Sequence, residues 1–447
     1  MGSRRAKITR EAMRNMITRV DRISNLPDSL LLIILSLLPF DLAVRTSVLS
    51  KRWRRVCMSL SNALFDDRYG RFSGVQFNTS VDRFVMCRPR DLYIDSFGLE
   101  CGGRVDSDFV DKWVDKVLKH RVKDLTLGFS FEGVPYRLIH DVYAYGKFEA
   151  LRLKRGILVI ISDVLRFSRL KVLEFREVTF STYESVKEIL VNCPVLEDLV
   201  IQRCKWLSGG DHLYVCGSVL KNLVLKCNEY FLIENQHRIS IDTPALETLR
   251  FGDSTWANLS IEGSWLSLGT AHISVESVAS VFKLLHKFCN VKFLTLTDKK
   301  LMVLNRISDL NLPILPSLIE LELRVNRWTC WTVLPKILGS SPNLQSLELS
   351  YEVNLKIDGE DSYRELWSSP RLVPTCLSSN LKTIQIGIFN ETKQEFSLVQ
   401  YLLLHGRALR EMSLYCSIDC SEWKKFRIRK KLLKFHRGSK TCKINVD

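Results

Sequence analysis

The sequence predicts an α/β protein in which a short helical N-terminal domain precedes a body of repeated strand–helix units. Two observations predict this architecture. An apolar pattern recurs at a nearly constant interval from about residue 120 onward, and a proline-bounded, leucine-rich segment lies near the N-terminus. The 447 residues are 46% hydrophobic and 26% charged, which is enough for more than one domain with a large core.

The repeated pattern is L-x-x-L-x-L with close substitutes. Most copies follow one another after 22 to 28 residues, and one step is 37 residues long. This period is that of leucine-rich repeats, whose L-x-L part forms a short strand with both apolar side chains buried. One unit cannot bury its apolar face alone, so we expect the units to stack into a solenoid. The central residues of the copies are Leu125, Leu151, Leu173, Leu199, Leu223, Leu249, Leu294, Leu321, Leu347, Ile384 and Met412, with a degenerate copy at Ala271.

Helices are predicted between the strands, for example at Tyr183–Leu190 and Val275–Phe288. Four prolines stand two residues before the first leucine of a repeat. Each ends the preceding helix and forces an extended approach to the strand, because proline disfavours helix in the residue before it. These prolines are Pro194, Pro244, Pro316 and Pro342.

Residues that alternate with the buried leucines should face outward, and acids and bases are mixed among them. A nucleic-acid surface needs a one-sided basic stripe to neutralise phosphates, so a mixed face favours a protein target. The residues predicted to contact a target are Arg152, Glu174, Arg176, Lys226, Arg250, Glu322, Arg324 and Glu348.

The segment from Asp21 to Pro39 predicts a helix that begins near Pro27, with Asp28 or Ser29 as its cap, and ends at Pro39. A second short helix fits Asp41–Leu49 with Asp41 as its cap, and Ser50 should cap a third that carries Trp53. Three short helices cannot bury all of this apolar surface against each other, so a patch should remain for a partner. One predicted apolar face consists of Leu30, Ile33, Ile34, Leu37 and Leu38.

The stretch Asp21–Cys57 resembles a plant-type F-box, through Leu26-Pro27-Asp28, Ile34-Leu35-Ser36-Leu37-Leu38-Pro39 and Val48-Leu49-Ser50-Lys51-Arg52-Trp53. The resemblance implies docking on a Skp-type adaptor and, through it, on a cullin scaffold of a ubiquitin ligase. Several of the matching residues should instead hold the three helices together. Matching positions assign the adaptor contacts to Leu26, Pro27, Leu30, Ile34, Leu35, Leu38, Leu49 and Trp53.

After the 37-residue step, Trp367–Ile386 and the following helix resemble the FBD module of plant F-box proteins, mainly through Val373-Pro374-x-Cys376-Leu377. The residues alone predict one more strand–helix–strand unit that caps the solenoid. The predicted domains are a basic flexible N-terminus at 1–19, an F-box at 20–66, a connecting and capping region at 67–119, leucine-rich repeats at 120–353, an FBD module at 366–418 and a basic tail at 424–447.

The net charge of +16 is concentrated at the two ends of the chain. Residues 1–20 carry +5 and residues 424–447 carry +9, so the body between them is near neutral. The basic C-terminus can be a solvated helix face, a nuclear-import signal or a contact for an acidic surface. The basic N-terminus can also be read as a mitochondrial presequence.

Thirteen cysteines are scattered without a C-x-x-C pair or a zinc tetrad, which indicates free thiols in a reducing compartment, cytoplasmic or nuclear. We therefore predict no metal and no cofactor. The longest apolar run, Leu30–Leu38, is too short to span a bilayer, so we expect no transmembrane helix and no membrane partner. No catalytic motif is present, which favours a non-catalytic protein.

The leading functional hypothesis is a substrate receptor of a ubiquitin ligase, with the F-box on the adaptor and the repeats on the target. One alternative is a nucleic-acid binder that works through its basic ends. Another keeps the F-box but makes the protein a scaffold whose partners are not degraded.

Overall fold

A computed structural model of the chain describes residues 23, 25–67, 74–102, 106–130, 135–161, 164–208, 212–226, 238–253, 258–275, 278–297, 312–325, 333–351, 367, 369–389, 391–417 and 420–447. The chain divides into two compact units, Met1–Glu132 and Gly133–Asp447. The predicted basic N-terminus at 1–19 lies outside the described residues.

In the first unit, the described residues form three short N-terminal helices, three parallel strands and two longer helices. Strands β1, β2 and β3 lie side by side in that order, with Ala63 opposite Phe97 and Phe97 opposite Leu125. The elements are α1 (Asp28–Ser36), α2 (Phe40–Arg45), a 3₁₀ turn (Thr46–Val48), α3 (Lys51–Met58), β1 (Asn62–Asp66), α4 (Gly74–Met86), β2 (Ser96–Cys101), α5 (Ser107–Lys119) and β3 (Asp124–Phe129).

The second unit is built from short parallel strands joined by turns and helices. Its helices are α6 (His140–Ala144), α7 (Glu184–Val191), α8 (Val278–Leu285), α9 (Leu334–Ser340), α10 (Thr375–Ser379), α11 (Lys393–His405) and α12 (Glu422–Leu432).

Strands β4 to β13 are β4 (Tyr136–Arg137), β5 (Ala150–Lys154), β6 (Ile157–Val159), β7 (Val172–Arg176), β8 (Thr179–Phe180), β9 (Asp198–Gln202), β10 (Lys205–Trp206), β11 (His212–Cys216), β12 (Asn222–Lys226) and β13 (Arg238–Asp242). Strands β14 to β22 are β14 (Thr248–Asp253), β15 (Asn258–Ile261), β16 (Thr270–Val275), β17 (Phe293–Thr297), β18 (Glu320–Val325), β19 (Ser346–Tyr351), β20 (Thr383–Phe389), β21 (Glu411–Cys416) and β22 (Lys443–Val446).

One long parallel sheet dominates this unit, in the order β5-β7-β9-β12-β14-β16-β17-β18-β19-β20-β21-β22. Two smaller parallel sheets, β10-β8-β6-β4 and β11-β13-β15, are formed by strands that follow those of the long sheet along the chain. The L-x-L leucines are buried throughout the long sheet, as at Leu199, Leu223 and Leu249. The structure thus confirms the predicted α/β repeat architecture, including the degenerate copy at Ala271, which forms part of β16.

Two strands of the first unit were not predicted from the pattern. β1 lies at the end of the predicted F-box, and β2 lies within the region predicted as a connection at 67–119. The signal for β2 was present, since Ile94, Phe97 and Leu99 have the spacing of the repeat and are all fully buried. A repeat unit with an isoleucine and a phenylalanine in place of leucines buries its apolar face in the same way.

The turn after three consecutive strands of the long sheet uses left-handed backbone. Arg155, Glu177 and Arg203 occupy the same position in their repeats and have φ of 27°, 57° and 54°. Their N–H groups bond carbonyls of the next repeat, as from Glu177 to Gln202 at 2.8 Å. Their side chains alternate in charge, with Glu177 3.1 Å from Arg155 and 3.6 Å from Arg203. The turn therefore links three repeats.

The C-terminal segment continues the long sheet. Strands β20 and β21 and helix α11 fall within the predicted FBD module, and a Thr392–Glu395 capping box begins α11. The predicted basic tail contains most of α12 and all of β22, which pairs with β21. Strand β22, which lies beyond the predicted FBD module, extends the sheet past β21. That the module caps the solenoid therefore stays a prediction.

Within the described residues, no helix combines the length and the hydropathy needed to cross a membrane. The same residues contain no cluster of three or more potential metal-binding side chains.

Candidate functional site

Helix α1 has one buried face and one exposed apolar face. Leu31 and Leu35 are 0% and 1% exposed and pack in a small core with Ala43 and Trp53. Leu30, Ile33, Ile34 and Leu37 follow the i, i+3, i+4, i+7 spacing of a single helix face, and all are exposed, Leu37 to 80%. A helix of an isolated domain would normally carry polar residues on that face.

Further exposed apolar side chains follow α1, in the loop before α2, on α2 and at the end of the 3₁₀ turn, where Val48 is 85% exposed. We name the whole set the F-box patch. It consists of Leu30, Ile33, Ile34, Leu37, Leu38, Leu42, Val48 and Leu49. Soluble proteins rarely leave so many large apolar groups on so short a segment unless a partner covers them.

Helix α3 contacts the start of α1, which carries part of the F-box patch. Arg52 pairs with Asp28 at 2.7 Å and also donates to the carbonyl of Leu26. The predicted Ser50 cap is confirmed, because its Oγ accepts a 3.2 Å hydrogen bond from the N–H of Trp53. The charged pair fixes the start of α1 against α3.

The caps predicted for the first two helices were wrong. Pro27 and Pro39 occupy the N-cap positions, and neither makes a side-chain cap. The carboxylate of Asp28 is instead engaged by Arg52. The second helix also ends earlier than predicted, because the Thr46 hydroxyl bonds the carbonyl of Ala43 at 2.7 Å and the chain continues as a 3₁₀ turn.

The structure divides the predicted adaptor residues into two groups. Leu35 and Trp53 lie in the core, and Leu26 packs partly against it, so these three stabilise the helices. The residues that lie on the surface are Pro27, Leu30, Ile34, Leu38 and Leu49. Sequence reasoning left Ile33, Leu37, Leu42 and Val48 out of the site, although helical spacing placed Ile33 and Leu37 on the same face as Leu30 and Ile34.

The predicted target residues lie on the face of the long sheet opposite the buried leucines, which we name the open face. Strand register aligns them in two rows, a middle row through the centre of each strand and an end row through the strands' C-terminal ends. The middle row runs through Arg152, Glu174, Val200, Val224, Arg250, His272, Thr295, Glu322 and Glu348. The end row runs through Lys154, Arg176, Gln202, Lys226, Gly252, Ser274, Thr297, Arg324 and Ser350.

Two groups of ion pairs on the open face engage Glu174 and Glu322. Glu174 lies 3.6 Å from Arg152 and also bonds Arg176, which in turn bonds Gln202. On β18, Arg324 contacts Glu322 at 2.5 Å. The contacts of Arg152 with Glu174 and of Arg176 with Gln202 join facing residues on neighbouring strands and depend on the register of the sheet. The contacts of Arg176 with Glu174 and of Arg324 with Glu322 join residues two apart on one strand.

Glu322 and Glu348 face each other on β18 and β19 but differ in protonation behaviour. Burial acts to raise the pKa of Glu322, yet the hydrogen bonds and charge of Arg324 and a bond from Thr295 hold it below its usual value. Burial and the charge of Glu322 raise the pKa of Glu348. The acidic end of the open face is thus partly neutralised by Arg324.

Lys226 and Arg250 differ from the other predicted target residues. Both are exposed, and within the described part of the chain neither makes an ion pair or a side-chain hydrogen bond. Burial and the positive charges of Arg250, Arg203, Arg176 and Arg324 lower the pKa of Lys226. The structure therefore brings the eight predicted target residues onto one face. Within the described residues it pairs Arg152, Glu174, Arg176, Glu322 and Arg324, and it leaves Glu348 and the basic centre of Lys226 and Arg250 without an ion pair.

Comparison with known proteins assigns both parts of the chain. Residues 23–64 match the F-box domain model, and residues 90–441 match the model described as the At1g61320/AtMIF1 LRR domain. F-box domains in general bind a Skp1-type adaptor, which agrees with the position of the F-box patch within this match. Neither matched model belongs to an enzyme family.

Similar proteins of Arabidopsis thaliana extend over nearly the whole chain. "Probable FBD-associated F-box protein At1g32375" is 28% identical over 438 residues, which cover 96% of this chain and 100% of that protein. F-box/LRR-repeat protein At3g59250 is 29% identical, over 95% of this chain and 97% of its own length. F-box/FBD/LRR-repeat protein At5g56420 is 27% identical, over 97% of this chain and 100% of its own length. The chain therefore belongs to the F-box/leucine-rich repeat proteins.

Proposed function

We propose that this chain is the substrate-recognition subunit of a Skp–cullin–F-box ubiquitin ligase. The F-box patch docks on the adaptor and thereby on the cullin, and the open face of the sheet holds a protein target. The observation that carries the proposal is the apolar face of α1, which stays exposed while the opposite face forms the core of the small helical domain.

The energetics of this surface support adaptor docking. Burial of one leucine or isoleucine side chain contributes about 1.5–3 kcal/mol relative to full exposure. Leu30, Ile33, Ile34 and Leu37 together can therefore offset much of the roughly 4–15 kcal/mol that association costs in lost freedom of motion. The same side chains left in water make the free protein prone to association.

The proposed role of the chain is positional, not catalytic. An F-box on the adaptor and a target on the repeats hold target lysines close to the conjugating enzyme. Such tethering raises their effective concentration without any chemistry on this chain. We place this activity in the cytoplasm or the nucleus, where the free cysteines predicted from the sequence stay reduced.

Co-purification with a Skp-type adaptor tests the proposal. We expect the wild-type chain to retain the adaptor and the Leu30→Glu/Leu37→Glu variant to lose it, because both side chains are exposed and neither supports the core. The matched control is Leu207→Glu/Leu266→Glu, which changes two leucines that are each 65% exposed in the second unit. Retention of the adaptor by a folded Leu30→Glu/Leu37→Glu variant contradicts the proposal.

A second candidate function, nucleic-acid binding through the basic ends, is favoured by one surface. Helix α12 buries Ile428 and Leu432 but exposes Trp423 and Phe426 among its lysines and arginines. Aromatic and basic side chains together suit single-stranded nucleic acid. Deletion of 424–447 is a poor test, because it removes β22 from the sheet.

Charge reversal keeps the fold and separates the two functions. Lys430 on α12 and Lys434 in the turn that follows it are exposed, so Lys430→Glu/Lys434→Glu should abolish a salt-dependent affinity for single-stranded DNA if this second function is real. The first proposal expects no such affinity and no effect on adaptor binding. A non-degradative scaffold is distinguished by the half-life of captured targets, which removal of this chain lengthens only if the complex is degradative.

A further inference from the structure

The open face carries a basic centre that no acid of its own rows neutralises. Along the middle row, the acids nearest to Arg250 are Glu174 and Glu322, each three strands away. At about 4.8 Å per strand this is roughly 14 Å, which is too far for an ion pair. Val200 and Val224 fill the interval on the β7 side.

The end row is basic or neutral along its whole described length. It contains Lys154, Arg176, Lys226 and Arg324 and no aspartate or glutamate. Arg176 and Arg324 are engaged by glutamates of the middle row, and Asp198 bonds Asn222 at 2.5 Å. Within the described residues, Lys226 is therefore the basic group near β12 and β14 in this row that makes no ion pair.

Small side chains leave space beside these two bases. Gly252 lies directly opposite Lys226, and Ser274 follows it on β16. A Cβ at position 252 would lie 3.4 Å from the Lys226 side chain and 3.8 Å from that of Ser274. The glycine thus keeps open a gap with Lys226 on one side, a hydroxyl on the other and Arg250 two residues before it on the same strand.

We propose that Lys226 and Arg250, with Ser274 and the gap at Gly252, form the site that binds an acidic side chain of the target, presented on an extended, glutamate- or aspartate-rich peptide segment. The proposal rests on the proposed function, because it names the chemistry of the target. Charge complementarity carries it, because Lys226 and Arg250 have no ion-pair partner among the described residues and a carboxylate would supply one. An extended segment suits rows that cross the strands at regular spacing.

The neighbouring histidine agrees with this arrangement. His272 on β16 faces Arg250 on β14 and Thr295 on β17, with Glu322 and Arg324 of β18 beyond. Burial and the charges of Arg250, Arg324 and Lys226 lower its pKa, and Glu322 acts in the opposite direction. An anion bound between Lys226 and Arg250 would cancel part of this positive potential and raise the pKa of His272.

Fluorescence anisotropy with the full chain tests the site. The probe is a fluorescein-labelled ten-residue peptide of alternating glutamate and serine, with a glutamine–serine peptide as the neutral comparison. We expect the glutamate peptide to bind more tightly than the glutamine peptide. Lys226→Ala/Arg250→Ala should lower the affinity for the glutamate peptide at least tenfold, the effect expected from the loss of about one charge-assisted hydrogen bond. The control Lys393→Ala/Arg410→Ala removes the same charge from exposed positions elsewhere and should change affinity less than twofold.

Equal binding of the glutamate and glutamine peptides would overturn the proposal, as would an equal loss of affinity in Lys393→Ala/Arg410→Ala. Tighter binding of a ten-nucleotide single strand, with the same dependence on Lys226 and Arg250, would overturn it as well. A second readout is the NMR titration of His272, whose pKa should rise when the glutamate peptide is added. Adaptor co-purification of Lys226→Ala/Arg250→Ala should stay intact, so failure of this site and failure of the adaptor proposal give different results.

Discussion

The Nη1 of Arg88 donates a 2.7 Å hydrogen bond to the carbonyl of Met58, which connects the end of the third F-box helix to the segment that leads into β2. The same guanidinium bonds the carbonyls of Leu92 and Tyr93 at 3.2 and 2.7 Å and lies over the ring of Phe84. Arg88 is only 4% exposed. One buried cation therefore joins the F-box helices to the first strands of their own unit.

Replacement of Arg88 should loosen this connection. Burial lowers the pKa of Arg88 to about 10, against the raising effect of Asp95, so the group stays charged at neutral pH. Arg88→Met leaves three carbonyls without their donor and should destabilise the first unit by about 3 kcal/mol. Hydrogen exchange of residues 51–101 measures this. The exposed Arg83→Met is the control, and equal exchange in both variants would show that Arg88 is not the connection.

Leu35 in α1 and Leu37 at its C-cap should respond differently to truncation although they lie two residues apart. Leu35 is 1% exposed in the helical core, so Leu35→Ala should cost about 2–5 kcal/mol. Leu37 is 80% exposed, so Leu37→Ala should change stability by less than about 0.5 kcal/mol. Urea unfolding compares them. Similar losses in both would mean that the exposed face of α1 is covered within the chain.

Two substitutions of Glu177 separate the effect of backbone strain on stability from the effect of the ion pairs. Glu177→Ala loses the contacts with Arg155 and Arg203 but keeps a non-glycine residue at φ 57°. Glu177→Gly loses the same contacts and removes the steric cost of this conformation. We expect the glycine variant to be more stable than the alanine variant by about 1 kcal/mol in denaturant titrations. The reverse order would mean that the turn does not hold position 177 in left-handed backbone.

His120 should make the first unit sensitive to acid. Its ring is 2% exposed, Nδ1–H donates to the Leu92 carbonyl at 3.0 Å, and Nε2 has no hydrogen bond within the described residues. Burial lowers the pKa of His120 below its usual 6.5, and the charges of Arg88 and Lys116 add to this effect.

Because the folded-state pKa of His120 is depressed, the unfolded chain takes up the proton first as the pH falls. Stability should therefore be complete above about pH 6.5 and decrease below it, by at most about 1.4 kcal/mol per pH unit. Denaturation midpoints at pH 7.5 and 5.5 measure the loss, and His120→Phe should reduce it. An unchanged difference between the two pH values in that variant would assign the acid sensitivity to other groups.

The sequence alone determined the repeated architecture and the nature of the N-terminal helices. Buried leucines recur with a period that only stacked strand–helix units satisfy, and this local pattern located the strands from β3 to β21 that carry it. The segment near the N-terminus also resembled an F-box, because its prolines, serine cap and leucine run lie close together in the chain. The residues Ile94, Phe97 and Leu99 have the spacing of the repeat as well, so the sequence was sufficient to predict β2.

Tertiary structure decided which apolar residues are core and which are surface. Leu35 and Leu37 are equivalent in composition, and only the packing of α1 against Trp53 buries the first and exposes the second. The charges of the open face were visible in the sequence as a mixture. The pairing of Arg152 with Glu174 depends on register between strands more than twenty residues apart. Folding engages Glu174 and Glu322 and leaves Lys226 and Arg250 without an ion pair among the described residues.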